Sequence, residues 1–285
     1  MAPAALSPSR AADFMQCPLL YRFRVVDRIP ERPSPAAVRG SVVHAVLERL
    51  FDLPAVERTL QAATELLGPQ WLRLRDESPE LSTLFDGDDE ALTEWLTGAE
   101  SLLERWFQLE DPTRLEPQER ELYVETTLAD GLILRGYVDR LDVSDDGQLR
   151  VVDYKTGRAP SELFEAKALF QMKFYALVLW RLRGRLPSVL QLVYLGSGEV
   201  LRYCPDEADL LATERKVTAL WAAIERAART GDWRPSPSRL CDWCDHRARC
   251  PAQGGTAPEP PADALERVGG AAASVPQTPG LDEDS

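Results

Sequence analysis

Two short apolar segments carry charges that apolar segments rarely hold. Gly136-Tyr-Val-Asp139-Arg-Leu-Asp142 and Val151-Val-Asp153-Tyr-Lys155-Thr-Gly157 each read as a strand, with a carboxylate among β-branched or aromatic neighbours. Burying an ionised carboxylate is costly unless it is paired or binds a metal. Asp153 and Lys155 are two positions apart and therefore share one strand face. Register decides whether Asp139 joins them. A two-residue Asp146-Gly147 loop pairs Asp139 with Tyr154 and sets Asp139 and Asp153 on opposite faces. A three-residue Asp145-Asp146-Gly147 loop, with Gly147 left-handed, pairs Asp139 with Asp153, and the Asp-Asp-Gly sequence suits it. Two carboxylates and an ammonium then converge in the pattern of a Mg²⁺ or Mn²⁺ site: hard oxygen ligands, with positions left for water and phosphate oxygens. Such an ion neutralises charge on a scissile phosphate and helps deprotonate water. Lys155 would orient that water or meet the developing negative charge. The plain alternative is an Asp153–Lys155 salt bridge on a strand, with Asp139 bonded to Arg140 or solvent.

The elements around these strands read as α/β. Gly40-Ser41 is expected to start a helix, with Ser41 as N-cap and Val42, Val43, Val46, Leu47, Leu50 and Phe51 at helical spacing. Further helices are expected near 55–67, 69–75 and 89–109. Strands follow at 122–128, 132–144 and 149–154, separated by Asp130-Gly131 and Asp146-Gly147 turns. A helix over 161–183, strands at 188–195 and 200–204, and an amphipathic helix over 206–230 complete the body. The reading divides the chain into an N-terminal segment (1–39), a helical region (40–120), a core (121–230), a cysteine segment (231–251) and an acidic tail (252–285). The tail, rich in Ala, Pro and Gly, is expected to be disordered. The fold expected is a central mixed sheet flanked by helices, with the helices of 40–110 forming a lid or arch.

The formal net charge of −13 excludes a small basic protein held to nucleic acid by global charge. It leaves room for local basic patches, such as Arg10–Arg39, where six arginines face three acids. No apolar run approaches the roughly 18 residues of a membrane span, and no secretory signal pattern opens the chain, so a soluble cytoplasmic protein without membrane contact is expected.

These motifs resemble the PD-(D/E)xK nuclease superfamily, in its RecB-like exonuclease branch. Gly136-Tyr-Val-Asp139-Arg is similar to that branch's first acidic motif, and Asp153-Tyr-Lys155-Thr-Gly157 to its Asp-x-Lys motif. Gln171-Met-Lys-Phe-Tyr175 resembles the downstream Gln-x3-Tyr motif, and Gly40-Ser-Val-Val-His44 the upstream Gly-x-x-x-His element. The resemblance implies a restriction-endonuclease-like core. It implies metal binding by His44, Asp139 and Asp153, a catalytic Lys155, and support of the site or the DNA strand by Gln171 and Tyr175. Read without the resemblance, His44 is a core histidine near Leu47 and Phe51. Glu125, on the preceding strand, is a further candidate acid.

Cys241-x2-Cys244-x5-Cys250 sets three thiols within ten residues. Cys17 is the distant candidate for a fourth ligand, with Cys204 and His246 as alternatives. Spacing allows a structural zinc or an iron–sulfur cluster. The resemblance selects the cluster: one N-terminal cysteine plus a C-terminal trio is similar to the 4Fe–4S staple of the AddB-type and CRISPR-adaptation nucleases. On this reading Cys204 is a small core residue. Tyr21, Phe23 and Trp243 are candidates to stack on bases.

The function implied is a metal-dependent exonuclease acting on single-stranded DNA or DNA ends, in repair or recombination. The alternatives are a non-catalytic nucleic-acid-binding subunit of a helicase–nuclease complex and a CRISPR-adaptation nuclease. No Gly-x4-Gly-Lys-Ser/Thr loop occurs, so any helicase would be a separate partner. Lys155-Thr-Gly157 lacks a Ser-x-x-Lys companion, which excludes a penicillin-interacting hydrolase.

Overall fold

A computed structural model describes residues 4–159 and 162–270, with the backbone alone for 162–167 and 270. Period-two apolar patterning places strands β1 (Ala5–Leu6), β2 (Glu119–Thr127), β3 (Ile133–Val143), β4 (Leu149–Lys155), β5 (Val189–Tyr194) and β6 (Glu199–Tyr203) in one mixed sheet. The long β3 is its spine. β2 runs antiparallel along one edge of β3, while β1 and β4 share the other edge, β1 parallel and β4 antiparallel. β5 lies parallel to β4, and β6 closes the sheet.

Both faces are covered. Val152 and Tyr154 of β4, and Val193 of β5, point into a core made by helices α3 (Pro35–Leu50), α4 (Leu60–Glu77) and α5 (Asp89–Leu109), around Trp71, Trp95 and Trp106. Their neighbours Val151 and Leu192 point the other way. They meet helices α1 (Pro8–Gln16), α2 (Pro18–Tyr21), α6 (Glu162–Arg183) and α7 (Glu207–Thr230). This alternation is the reason β4 and β5 read as nearly continuous apolar runs. None of the helices is long and apolar enough to cross a membrane, among the described residues.

Several expectations change. The helix carrying His44 starts at Pro35, where Ser34 caps it through Ala37 N (3.4 Å); Ser41 lies mid-helix and bonds back to Ala37 O. Gly40 is there for a contact: a Cβ would sit 3.2 Å from Thr156 Oγ1, just past β4. The two helices expected at 55–67 and 69–75 are the single α4, which continues through Pro69 because Ala63, Leu67 and Trp71 bury one face on both sides of it. Helices α3, α4 and α5 share one core with Val152, Tyr154 and Val193 of the sheet, and the Arg73–Glu77 end of α4 lines the cleft. Cys204, expected in the core, is exposed. The tail is ordered further than its composition suggests. Helix α8 (Ala264–Gly270) buries Ala264 and Val268, one helical turn apart, in the main core, and Arg267 donates to Val26 O at 3.1 Å. Residues 271–285 lie outside the described residues.

Candidate active site

Two hairpins of the same design build the site. Between β2 and β3, Leu128 N–H bonds to Leu132 O, leaving Ala129, Asp130 and Gly131 as a three-residue loop with Gly131 at φ +85°. Between β3 and β4, Ser144 N–H bonds to Gln148 O around Asp145, Asp146 and Gly147, with Gly147 at φ +79°. Glycine takes the left-handed position that closes each loop. The resulting ladders, Arg120↔Arg140 and Arg140↔Val152, when carried one residue along, set Glu121, Asp139 and Asp153 in one row across three strands.

The row bends at Glu121. Its φ of +45° takes the backbone out of the extended region, in the gap between the paired residues Arg120 and Leu122. A non-glycine residue pays about 1–3 kcal/mol for such a conformation. There the Glu121 carboxylate gathers with Asp139 and His44: one ligand atom from each lies within 4.8 Å of the others. It is the group of three or more His, Cys, Asp or Glu found at that spacing among the described residues. Sequence reasoning missed Glu121 and singled out Glu125, which is exposed and accepts the Tyr123 hydroxyl at the rim. The legible signal was the shared x-Asp-Gly loop, which sets Glu121 opposite Asp139.

Helix α3 supplies the imidazole. Gly40 and His44 share its face by i,i+4 spacing; Gly40 lets the helix approach Thr156, and His44 Nε2 then stands 3.0 Å from Tyr154 O. With Nε2–H donated to that carbonyl, Nδ1 presents a lone pair 3.5 Å from Asp139 Oδ2 and 4.0 Å from Glu121 Oε1. Asp139 is fixed in turn by the Tyr154 N–H, which donates to Oδ2 at 2.7 Å. Arg140 does not neutralise Asp139. It is buried on the other face, where it bonds Glu110 at 2.7 and 2.8 Å and the Tyr154 hydroxyl at 2.6 Å.

Asp153 is 2% exposed. Its Oδ2 is 2.7 Å from Lys155 Nζ but accepts no aligned hydrogen bond. Gln171 of α6 ties the pair together: its Oε1 accepts from Lys155 at 2.9 Å, and its Nε2 donates to Asp153 Oδ1 at 3.1 Å. Tyr175, one turn on, is 3.4 Å from the same Nε2 through its hydroxyl. The Tyr175 ring packs against Gly136, where a Cβ would come within 2.7 Å of Cε1.

His44, Glu121, Tyr154 and Lys155 line a cleft of about 1200 Å³. The electrostatics are unbalanced toward negative charge at its floor. Burial, then the charges of Asp139, Glu48 and Asp153, push the Glu121 carboxyl up to about 8. Burial and the Asp153 charge push Asp139 up to about 6, against His44, the Tyr154 N–H and Lys155. Burial likewise raises the Tyr175 phenol. A cluster of this kind binds a cation or retains protons.

Elsewhere, Cys17, Cys241, Cys244 and Cys250 line one cavity. Backbone N–H groups of Ser236 and Ser238 reach the sulfurs of Cys17 and Cys241, each at 3.3 Å. No three of the sulfurs lie within 4.8 Å of one another, whereas tetrahedral zinc holds thiolates about 3.8 Å apart. Tyr21 and Phe23 are buried in the core and are not available to bases; Trp243 is 79% exposed.

Comparisons with known proteins agree with this architecture. The chain is 27% identical over 269 residues to the Gene 69 protein of Mycobacterium phage D29, covering 86% of this chain and 96% of that protein. It is 24% identical over 286 residues to the Gene 69 protein of Mycobacterium phage L5, covering 86% and 95%. In fold it is similar to the crystal structure of a proposed exonuclease from Eubacterium rectale, with a TM-score of 0.55 and 15% identity, over 85% of this chain and 88% of the other. A family profile matches residues 5–251, nearly the whole folded body, and on that match the chain belongs to the PD-(D/E)XK nuclease superfamily.

Proposed function

We propose that the chain is a Mg²⁺- or Mn²⁺-dependent deoxyribonuclease that acts as an exonuclease on single-stranded DNA or DNA ends, in repair or recombination. The observation that carries this reading is the row Glu121–Asp139–Asp153, with Lys155 locked to Asp153 by Gln171.

The donor set suits a hard divalent ion. Two carboxylates and an imidazole converge, both carboxyls are pushed up by burial and mutual repulsion, and Asp153 Oδ2 has a lone pair without an aligned donor. His44, Glu121 and Asp139 would hold the ion, with Asp153 beside them. When bound, it supplies charge neutralisation at the phosphate and a more acidic water. The chain's own side chains do the rest. In hydrolysis a water oxygen attacks phosphorus, the bond from phosphorus to the leaving sugar oxygen breaks, and that oxygen gains a proton. The Lys155 ammonium is held between Asp153 and Gln171, where it can orient the water and meet the negative charge growing on the phosphoryl oxygens. Gln171 prevents Lys155 from swinging into solvent, and Gly136 lets Tyr175 close the wall behind it.

The cysteines support a 4Fe–4S cluster on Cys17, Cys241, Cys244 and Cys250. The four cysteines line one cavity, and burial there raises the Cys244 thiol. Such a cluster would staple α1–α2 to the C-terminal segment. Any DNA unwinding would come from a separate helicase.

The test is cleavage of end-labelled single-stranded DNA with Mg²⁺ or Mn²⁺, with chelator and with Asp153→Ala and Lys155→Ala chains. Metal-dependent shortening that both substitutions abolish supports the reading. Undiminished cutting by either variant refutes it.

A further inference from the structure

The main cleft does not end at the carboxylates. A second cavity of about 470 Å³ shares Tyr123, Tyr137 and Ala168 with it, so the two form one groove. Glu121, His44 and Lys155 border the larger lobe, while Gln171 and Tyr175, which reach Asp153 and Lys155, border the smaller.

The smaller lobe has a distinct chemistry. Tyr123 and Tyr137 are direct cross-strand partners, with ring centroids 5.2 Å apart and planes tilted by 56°. Tyr123 is 42% exposed, and its hydroxyl is held by Glu125 at the rim. Phe170 and Tyr175 add further aromatic wall. Arg10 and Arg135 line the same space, with Glu125, the cross-strand partner of Arg135, at its rim. A space of this volume suits one nucleotide rather than a duplex. Aromatic faces stack on any base, and guanidinium groups take phosphate oxygens.

We infer that this lobe is a subsite for one unpaired nucleotide adjoining the scissile phosphate, with its base against Tyr123 and Tyr137 and its phosphate toward Arg10 and Arg135. The inference rests on the nuclease reading above and deepens it: a base can enter the lobe only when it has left its partner strand. The active site therefore favours single-stranded DNA and frayed ends. It disfavours a base-paired nucleotide at this position, and the preference is set by stacking rather than by base-edge hydrogen bonds.

The experiment uses the full chain and a short single-stranded oligonucleotide with 2-aminopurine moved one position at a time, without divalent ions so that no strand is cut. One position, next to the linkage that Mn²⁺ later cleaves, should be quenched. The quenching should disappear in Tyr123→Ala with an affinity loss of about 10-fold, persist in Tyr123→Phe, and be absent when the same position is base-paired. Arg135→Gln should lower affinity for every sequence alike and flatten its salt dependence by about one charge. Matching melting curves of the variants exclude misfolding. If the oligonucleotide binds and is cut while quenching is unchanged in Tyr123→Ala, the subsite is overturned and the nuclease reading stands. If the unmodified chain neither binds nor cuts any DNA, the nuclease reading fails and the subsite falls with it.

Discussion

Gln171 donates from Nε2 to Asp153 Oδ1 at 3.1 Å while its Oε1 accepts from Lys155 Nζ at 2.9 Å, so one amide orients an acid and a base of the same strand. Replacing Gln171 by Ala leaves the ammonium held by Asp153 alone and the buried carboxylate with one partner fewer. The expected result is a fall in kcat of about 10- to 100-fold with a much smaller change in KM, because positioning at the reacting centre is lost rather than strand binding. Steady-state kinetics on a labelled oligonucleotide, beside a melting curve, checks this. An unchanged kcat would remove Gln171 from the machinery.

Glu121 combines a left-handed backbone with a carboxyl raised to about 8. Both are unfavourable in the metal-free fold. Glu121→Gly should therefore stabilise the metal-free chain by about 1 kcal/mol or more while weakening divalent-ion affinity and activity. Chemical denaturation in chelator and calorimetric Mn²⁺ titration measure the two halves. A variant that is both less stable and equally tight for Mn²⁺ would contradict the assignment.

The pH dependence follows from the same groups. Asp139 and Glu121 are raised from 3.8 and 4.5 to about 6 and about 8. The folded, metal-free chain thus holds protons that the unfolded chain has released, and its stability falls as pH climbs from about 4 through about 8. A bound cation displaces those protons. The gain in melting temperature on adding Mn²⁺ should therefore grow between about pH 6 and about pH 8. A gain that shrinks over this window would show that other groups hold the ion.

Gly136 is the point where β3 meets Tyr175. An added Cβ would lie 2.7 Å from the Tyr175 ring and 3.4 Å from Pro8 Cδ. Gly136→Ala should destabilise by about 1–3 kcal/mol through overpacking and displace Tyr175. Gly136→Ala combined with Tyr175→Ala should recover part of that loss in a double-mutant cycle. Additive losses would mean that the two do not meet.

The cysteine cavity makes a separate claim. Protein purified without oxygen should be brown and contain about four irons and four sulfides per chain. Cys17→Ser should bleach it and lower the melting temperature, since Cys17 joins segments from opposite ends of the chain. Stoichiometric zinc in a colourless protein would replace the cluster with a structural zinc.

Much of the site follows from short-range rules that a sequence expresses directly. Period two puts Asp153 and Lys155 on one face, i,i+4 spacing puts Gln171 and Tyr175 together, and Asp-Asp-Gly selects the three-residue loop that aligns Asp139 with Asp153. The capping box of Asp206 and Asp209 and the Gly231 cap likewise bound α7 close to where its pattern does. Tertiary structure alone decided the remainder. Glu121 enters the site because two loop registers add across three strands and its own backbone turns left-handed, which no local propensity favours in glutamate. Gly40 sits mid-helix because Thr156, far along the chain, needs the space. The same holds for Tyr21 and Phe23, which look like exposed aromatics in a basic segment but are buried once Phe14 and Trp233 pack on Tyr21 and His246 packs on Phe23. Periodicity and turn chemistry act over a few residues, whereas burial and close approach are set by segments that meet only in the folded chain.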